Sequence, residues 1–432
     1  VTGGTIFALA SGAGRAAVAV MRLSGAEAGR VLESLAGPLP APRRASLRTL
    51  RHGGEALDRA LVLWFPAPAS YTGEDAAELH LHGGPAVVAA VAEALAALGA
   101  RPAEPGEFTR RAFLHGKLDL TEAEGIADLI AAETEAQRRQ ALRQAEGGLS
   151  ARLSAWAAAL TRLLARQEAF IEFEEEDLPP DLDARVAAET AALRAEMDAL
   201  LAEGARGERL REGVTVAILG APNAGKSSLL NALAGREAAI VSARAGTTRD
   251  VVEVRLVLSG VPVTLADTAG LRETADEIEA EGVRRALARA EAAELRLLVF
   301  PADAPPDATT LALRGPGALV VGSKADLGPP RVEGALAVST RTGEGMAALR
   351  AALEAEVADR AALAAEAGLT RPRHRAALGE AVEWLARLEE APLPELRAEA
   401  LRGALAALGR ITGRVGVEAI LDRVFGEFCI GK

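Results

Sequence analysis

The sequence predicts a multidomain protein of α/β and α class, in which an α+β domain is followed by long helices and a P-loop domain with a mostly parallel sheet is inserted among them. Three observations carry this. Short apolar runs alternate with turns over residues 1–100, as in a domain built on strands. From about residue 118 the composition shifts to Ala, Leu, Glu, Arg and Gln, with apolar residues three and four apart. From residue 213 to about 359 strand-like and helix-like runs alternate, and helical spacing returns over 363–420, so one domain interrupts another.

In the first domain, residues 1–117, the runs 17–23, 60–65 and 77–82 read as strands, while 26–35 and 85–98 carry helical spacing. Gly83-Gly84-Pro85 ends a strand and opens a helix, with proline in the first turn. His80 and His82 lie two apart and share a strand face, a spacing that could present two imidazoles to a metal. With no cysteine nearby and only His52 and His115 to add, a pair facing solvent or a partner is the preferred reading.

The helical domain is expected in two parts, 118–212 and 362–432. Ile126, Leu129, Ile130, Leu149, Leu153, Trp156, Leu160, Leu163 and Leu164 mark amphipathic helices that run on to Gly204. They are broken once, by the acidic stretch 172–177 before Pro179-Pro180. Its carboxylates could bind a divalent cation, but with no turn glycine at ligand spacing a solvated helix end and linker is preferred.

The inserted domain, 213–361, offers six strands: 214–219, 251–258, 261–266, 295–300, 318–321 and 335–338. Between the first of these and a helix start stands Gly220-Ala221-Pro222-Asn223-Ala224-Gly225-Lys226-Ser227, which fits G-x-x-x-x-G-K-[ST] at every fixed position. Such glycines let backbone N–H groups surround phosphate oxygens, so Asn223, Ala224, Gly225, Lys226, Ser227 and Ser228 form the candidate phosphate cradle. Lys226 supplies a point charge, and Ser227 would place a hydroxyl on Mg²⁺. Further on, Asp267-Thr268-Ala269-Gly270 ends a strand, where Asp267 can hold Mg²⁺ through water and the Gly270 N–H can sense a γ-phosphate. Thr247 and Thr248 lie between these motifs, and Thr248 is the better candidate for a second Mg²⁺ hydroxyl.

Ser323-Lys324-Ala325-Asp326 follows a strand, and a carboxylate there accepts from guanine N1–H and its exocyclic amine but repels the adenine acceptor. The order of motifs therefore predicts a Ras-like GTPase that binds GTP and GDP. Ser323 stands where Asn is usual, and its shorter side chain is expected to weaken a link to the loop or base. Leu271 stands where many small GTPases have a water-orienting glutamine. A polar group and added positive charge must come from elsewhere: Arg249, Arg272 or an added cation for the charge, and Asp276, Glu277 or Glu279 as nearby carboxylates.

Composition narrows the partners. With 49 Lys+Arg against 60 Asp+Glu the formal charge is −11, so no global positive field draws the chain to nucleic acid or anionic lipid, and any RNA contact needs a local basic patch. Aromatics at 3% argue against an aromatic stacking platform for single-stranded bases. The single cysteine, Cys429, cannot form an intramolecular disulfide, and no leader or membrane-length apolar stretch is visible, so a soluble, cytoplasmic protein without membrane contact is expected. Val1 fits a trimmed start or a GTG start codon.

With these residues in place, the chain resembles the MnmE/TrmE family of tRNA-modifying GTPases over essentially its whole length. The stretches that carry the likeness are Met21-Arg22-Leu23-Ser24-Gly25, Tyr71-Thr72-Gly73-Glu74-Asp75, Pro105-Gly106-Glu107-Phe108, Lys117-Leu118-Asp119-Leu120, the loop with Asn223, and the tail Phe428-Cys429-Ile430-Gly431-Lys432. The resemblance implies a homodimer whose N-terminal domains pair and bind a 5-formyl-tetrahydrofolate-type one-carbon donor, with Arg22, Glu78, Lys117 and Lys432 at its folate-contacting positions. It implies G domains that meet across the dimer when K⁺ is bound, with Asn223 as a K⁺ ligand and the loop from Ser242 through Arg244 to Thr247 enclosing the ion. K⁺ would then replace an arginine finger, and Glu279 would orient the water through another water. The resemblance also implies an FAD-dependent partner of the GidA/MnmG type, with which C5 of the wobble uridine of certain tRNAs is modified.

Cys429 is left open between a nucleophile or redox thiol, which its place in the family tail favours, and a buried thiol. Prenylation fails because Cys-Ile-Gly-Lys lacks an aliphatic third residue and a usual terminal one. The competing reading is a ribosome-assembly or RNA-binding GTPase switch, weakened by the lack of a basic appendage after the G domain.

Overall fold

The computed structural model describes residues 3–172, 182–235, 253–267, 293–361, 368–415, 418–426, 428 and 431. These residues form two compact units, one made of 1–127, 144–190 and 383–432, the other of 128–143 and 191–382. Each holds one six-stranded sheet.

In the first unit the strands are β1 (Ile6–Leu9), β2 (Ala16–Ser24), β3 (Ser46–His52), β4 (Glu55–Phe65), β5 (Ala76–Gly83) and β6 (Arg101–Pro102), in the order β3-β4-β5-β2-β1-β6. All neighbours are antiparallel except β1 and β6. The three strands read from sequence are the central ones, β2, β4 and β5. The other three escape a periodicity reading for a physical reason: β1 and β6 are very short, and edge strand β3 buries only Leu50. Period-2 alternation sends Met21, Leu23, Val62, Leu79 and Leu81 to one face, where helices α1 (Ala28–Ala36) and α2 (Pro85–Ala97) cover them with Leu32, Leu35, Val91 and Leu95. Helix α3 (Glu107–Leu114) follows β6 behind Gly106, whose φ of 67° and close approach to the Phe425 carbonyl exclude a side chain.

The long helices are α4 (Leu120–Ala131), α5 (Glu135–Ala145), α6 (Gly148–Glu172) and α7 (Leu182–Glu212). The sequence predicts helix only to Gly204, yet α7 runs on to Glu212. Gly204 serves packing rather than termination, since an added Cβ would lie 2.9 Å from Leu369 Cδ1. The acidic residues 173–177 lie outside the described residues.

The second sheet comprises β7 (Val214–Leu219), β8 (Glu253–Leu258), β9 (Val261–Asp267), β10 (Leu295–Pro301), β11 (Ala318–Ser323) and β12 (Leu336–Ala337), ordered β12-β11-β10-β7-β9-β8. Only β8 pairs antiparallel, so the mostly parallel α/β sheet read from sequence is present, with all six strands. Helix α8 (Lys226–Ala234) leaves the end of β7 and buries Leu229 and Leu230 against Val216, Ile218 and Leu265. The remaining described α-helices are α9 (Ala308–Leu311), α10 (Met346–Ala361), α11 (Pro372–Glu390), α12 (Pro394–Thr412) and α13 (Glu418–Gly426), and a 3-10 turn spans Ala325–Leu327.

Candidate nucleotide and ligand sites

The candidate nucleotide site is built from the carboxyl end of β7. Gly220 leaves that strand under the Val299 carbonyl of β10, which would stand 2.4 Å from any Cβ, so only glycine passes. Asn223 (φ 62°) and Gly225 (φ 90°) then adopt left-handed backbone, one by the tolerance of Asn for that region and one by the freedom of glycine. The chain thereby curls back on itself before α8 starts at Lys226. The Lys226 side chain is buried, and its Nζ donates to the Gly220 and Ala221 carbonyls at 2.8 Å each. Its charge is therefore held in the bowl of the loop, next to a helix N-terminus that favours anions. Ser227 and Ser228 occupy the first turn of that helix.

The base motif lies at the end of β11. Ser323 is shorter than Asn, but it is buried and its Oγ donates to the Ala224 carbonyl at 2.6 Å, so the expected loss of a link to the loop does not occur. Lys324 takes left-handed backbone and pairs with Asp303 at 2.9 Å. Asp326 accepts from Ser339 Oγ at 2.6 Å and from Arg341 Nη2 at 2.8 Å. The Ser339 hydrogen bond, with the Arg341 charge, holds its carboxyl below the ordinary aspartate range and so keeps it an acceptor. Ser339 and Arg341 were not anticipated. The available signal was a polar turn, Ser339-Thr340-Arg341-Thr342-Gly343, placed straight after a strand.

A second site lies in the first unit, a cavity of about 590 Å³. Register pairs Arg22 of β2 with Glu78 of β5, and the guanidinium binds that carboxylate at 2.9 Å and 3.1 Å. The same guanidinium stands 5.6 Å from the Tyr71 ring and 5.9 Å from that of Phe108, so two aromatic faces hold it. Tyr71 donates to or accepts from Thr109 Oγ1 at 2.9 Å, and burial pushes its phenol up. Lys117 lines the same cavity, its Nζ donating to the Pro68 carbonyl at 2.9 Å. Arg22, Glu78 and Lys117, far apart in sequence, thus converge. Arg43, Phe65 and Phe108, which also line the cavity, were not among the candidates.

A polar network supports these walls. Ser24 Oγ meets Thr72 Oγ1 at 2.7 Å and Glu74 at 2.8 Å; buried Arg111 binds Glu74 and Glu107 at 2.9 Å each; and Arg101 binds Glu107 at 2.6 Å. Three of the singled-out stretches, around Ser24, Glu74 and Glu107, are therefore one physical unit. His80 and His82 do not converge on a common ligand set: His80 faces Glu78 at 3.4 Å and His82 binds Asp58 at 2.7 Å. Among the described residues no group of three or more His, Cys, Asp or Glu is arranged to hold a metal, and no helix is long and apolar enough to cross a membrane.

Ser242, Arg244, Thr247, Thr248, Thr268, Ala269, Gly270, Glu279, Cys429 and Lys432 lie outside the described residues, as do Arg249, Leu271, Arg272, Asp276 and Glu277. Asp267 is the last residue of β9, with only its backbone described.

Comparison with known proteins shows the family. The description "GTP-binding protein TrmE N-terminus" matches residues 5–117, and "MnmE helical domain" matches 120–429. The chain is 61% identical to the tRNA modification GTPase MnmE of Gluconacetobacter diazotrophicus, over 99% of this chain and 98% of that one. It is 58% identical to the proteins of the same name in Granulibacter bethesdensis and Paramagnetospirillum magneticum, over 99% of each chain. Among solved structures it is similar to the G domain of the T. maritima FeoB iron transporter, at 24% identity and a TM-score of 0.26 over 34% of this chain and 98% of that one. With the loop at Lys226 and the cavity at Arg22 on one chain, and relatives of this identity over its full length, the chain belongs to the MnmE family, the tRNA modification GTPases.

Proposed function

We propose that this chain hydrolyses GTP in a K⁺-activated reaction and, with an FAD-dependent partner of the GidA/MnmG type, modifies C5 of the wobble uridine of certain tRNAs, using a tetrahydrofolate one-carbon donor. The observation that carries the reading is the presence on one chain of the phosphate loop and the Arg22–Glu78–Lys117 cavity, in a protein alike end to end with tRNA modification GTPases.

Lys226, Ser227 and Asp326 support the nucleotide part of this reading. Lys226 and the α8 N-terminus neutralise phosphate charge, the Ser227 hydroxyl is offered to Mg²⁺, and Asp326 accepts from guanine. Ser227, Thr248 and Asp267 would hold Mg²⁺, which would neutralise phosphate charge, and Asn223 with the 242–247 loop would hold K⁺, which would supply added positive charge. Glu279 is proposed to orient the attacking water. In the cavity, Tyr71 and Phe65 offer aromatic lining and Glu78 an acceptor, a lining suited to a folate-type heterocycle. A homodimer through the N-terminal domains is supported by the sheet face opposite α1 and α2. There Leu47, Leu61, His80 and Val20 form one cross-strand row, with Leu47 52% and Leu61 44% exposed. The homodimer, the partner protein and a cytoplasmic setting form part of this proposal.

GTP turnover compared in KCl and NaCl at equal ionic strength tests the first half, and equal rates would sink the cation mechanism. For the second half, mass spectrometry of tRNA wobble nucleosides from cells lacking the chain should show loss of the C5 modification. Unchanged nucleosides would defeat it.

A further inference from the structure

The cavity at Arg22 is electrically lopsided. Three cations line it, Arg22, Arg43 and Lys117, against one carboxylate, Glu78. Glu78 is taken up by Arg22 at 2.9 Å, so that end is close to neutral. Arg43 and Lys117 instead donate to backbone carbonyls, those of the adjacent residues Ala69 and Pro68. Both side chains therefore bind the same short loop, and the one carboxylate that lines the cavity is already taken by Arg22.

Arg43 is also held there at a conformational cost. Its backbone is left-handed, φ 60°, a region that long side chains seldom adopt. The strained residue is fixed by its N–H, which donates to the Trp64 carbonyl at 2.8 Å, and by its guanidinium, which lies 5.7 Å from the Phe65 ring. That left-handed backbone belongs to a β-turn closed by the Arg44 N–H on the Ala41 carbonyl at 3.2 Å, and the side-chain contacts set the guanidinium on the cavity lining.

We infer that Arg43 and Lys117 form an anion subsite that takes the carboxylate tail of the cavity's ligand and favours tails with several carboxylates, as in an oligoglutamyl folate. This rests on the folate reading above and adds the class of ligand preferred. Two neighbouring cations, each with unused N–H donors, can engage more than one carboxylate, and charge-assisted bonds are the stronger kind. The Arg22 and Tyr71 end is left for the heterocycle.

Calorimetric titration of the full chain with monoglutamyl and triglutamyl 5-formyl-tetrahydrofolate tests the inference. The triglutamyl form is expected to bind about tenfold more tightly at low salt, an advantage that shrinks as ionic strength rises. Arg43→Gln should bring the two forms to within about twofold, while Arg43→Lys should keep part of the preference. Circular dichroism melting confirms that each variant folds. Equal affinities in the unsubstituted chain, or a preference that survives Arg43→Gln, would overturn the subsite and leave the folate reading standing. If neither form binds, the folate reading falls and the subsite with it.

Discussion

Ser323 joins the two halves of the candidate nucleotide site through one hydroxyl. Its Oγ holds the Ala224 carbonyl, so the base motif and the phosphate loop keep register with each other. Removing a buried hydrogen-bond partner leaves the carbonyl unsatisfied, at a cost of about 1–3 kcal/mol. Ser323→Ala should therefore weaken binding of a fluorescent GDP analogue by about tenfold, read by equilibrium titration. Asp326 makes a separate prediction about base choice. An amide in place of the carboxylate presents a donor to guanine's donors but suits the carbonyl of xanthine, so Asp326→Asn should lose GDP and gain XDP in competition binding. The phosphate loop was legible in sequence because its geometry is local, eight consecutive residues between a strand and a helix. The Ser323–Ala224 bond was not, because it joins residues 99 apart that only the order of β7, β10 and β11 brings together.

At the scale of elements, close packing and buried charge decide stability. Gly125 lies within α4, where an added Cβ would stand 2.4 Å from the Ala145 amide nitrogen at the end of α5. Alanine has the better helix propensity by about 1 kcal/mol, but the clash forces backbone to shift. Gly125→Ala should lower the melting temperature, and an unchanged or raised value would refute the close-packing account. In α7, burial pushes the Glu208 carboxyl up, one of its oxygens has no hydrogen-bond partner, and Arg375 stands 3.3 Å from the other. A carboxyl with a raised folded pKa binds its proton more tightly folded than unfolded. Its contribution is fully present below the unfolded value and is lost as pH rises through the raised one. Glu208→Gln should flatten that part of the stability–pH profile, measured by denaturant unfolding across the acidic range.

For the whole molecule, each compact unit carries one of the two sites, and the exposed row on the first sheet bears on assembly. A charge placed there must be buried if that face pairs with a second copy, so Leu61→Asp should shift sedimentation towards monomer while the melting temperature of the first unit changes little. No shift would remove this face from the dimer reading. By itself the sequence determined the mixed architecture, the six strands of the inserted sheet and the phosphate loop, because periodicity, turn residues and a strand–loop–helix motif act over neighbouring residues. Tertiary structure alone decided which distant residues share a wall. The β2–β5 register set Arg22 against Glu78, and the loop at Pro68 and Ala69 gathered Lys117 and Arg43. Those contacts depend on strand order and chain reversal, which leave no trace in the spacing of residues along the chain.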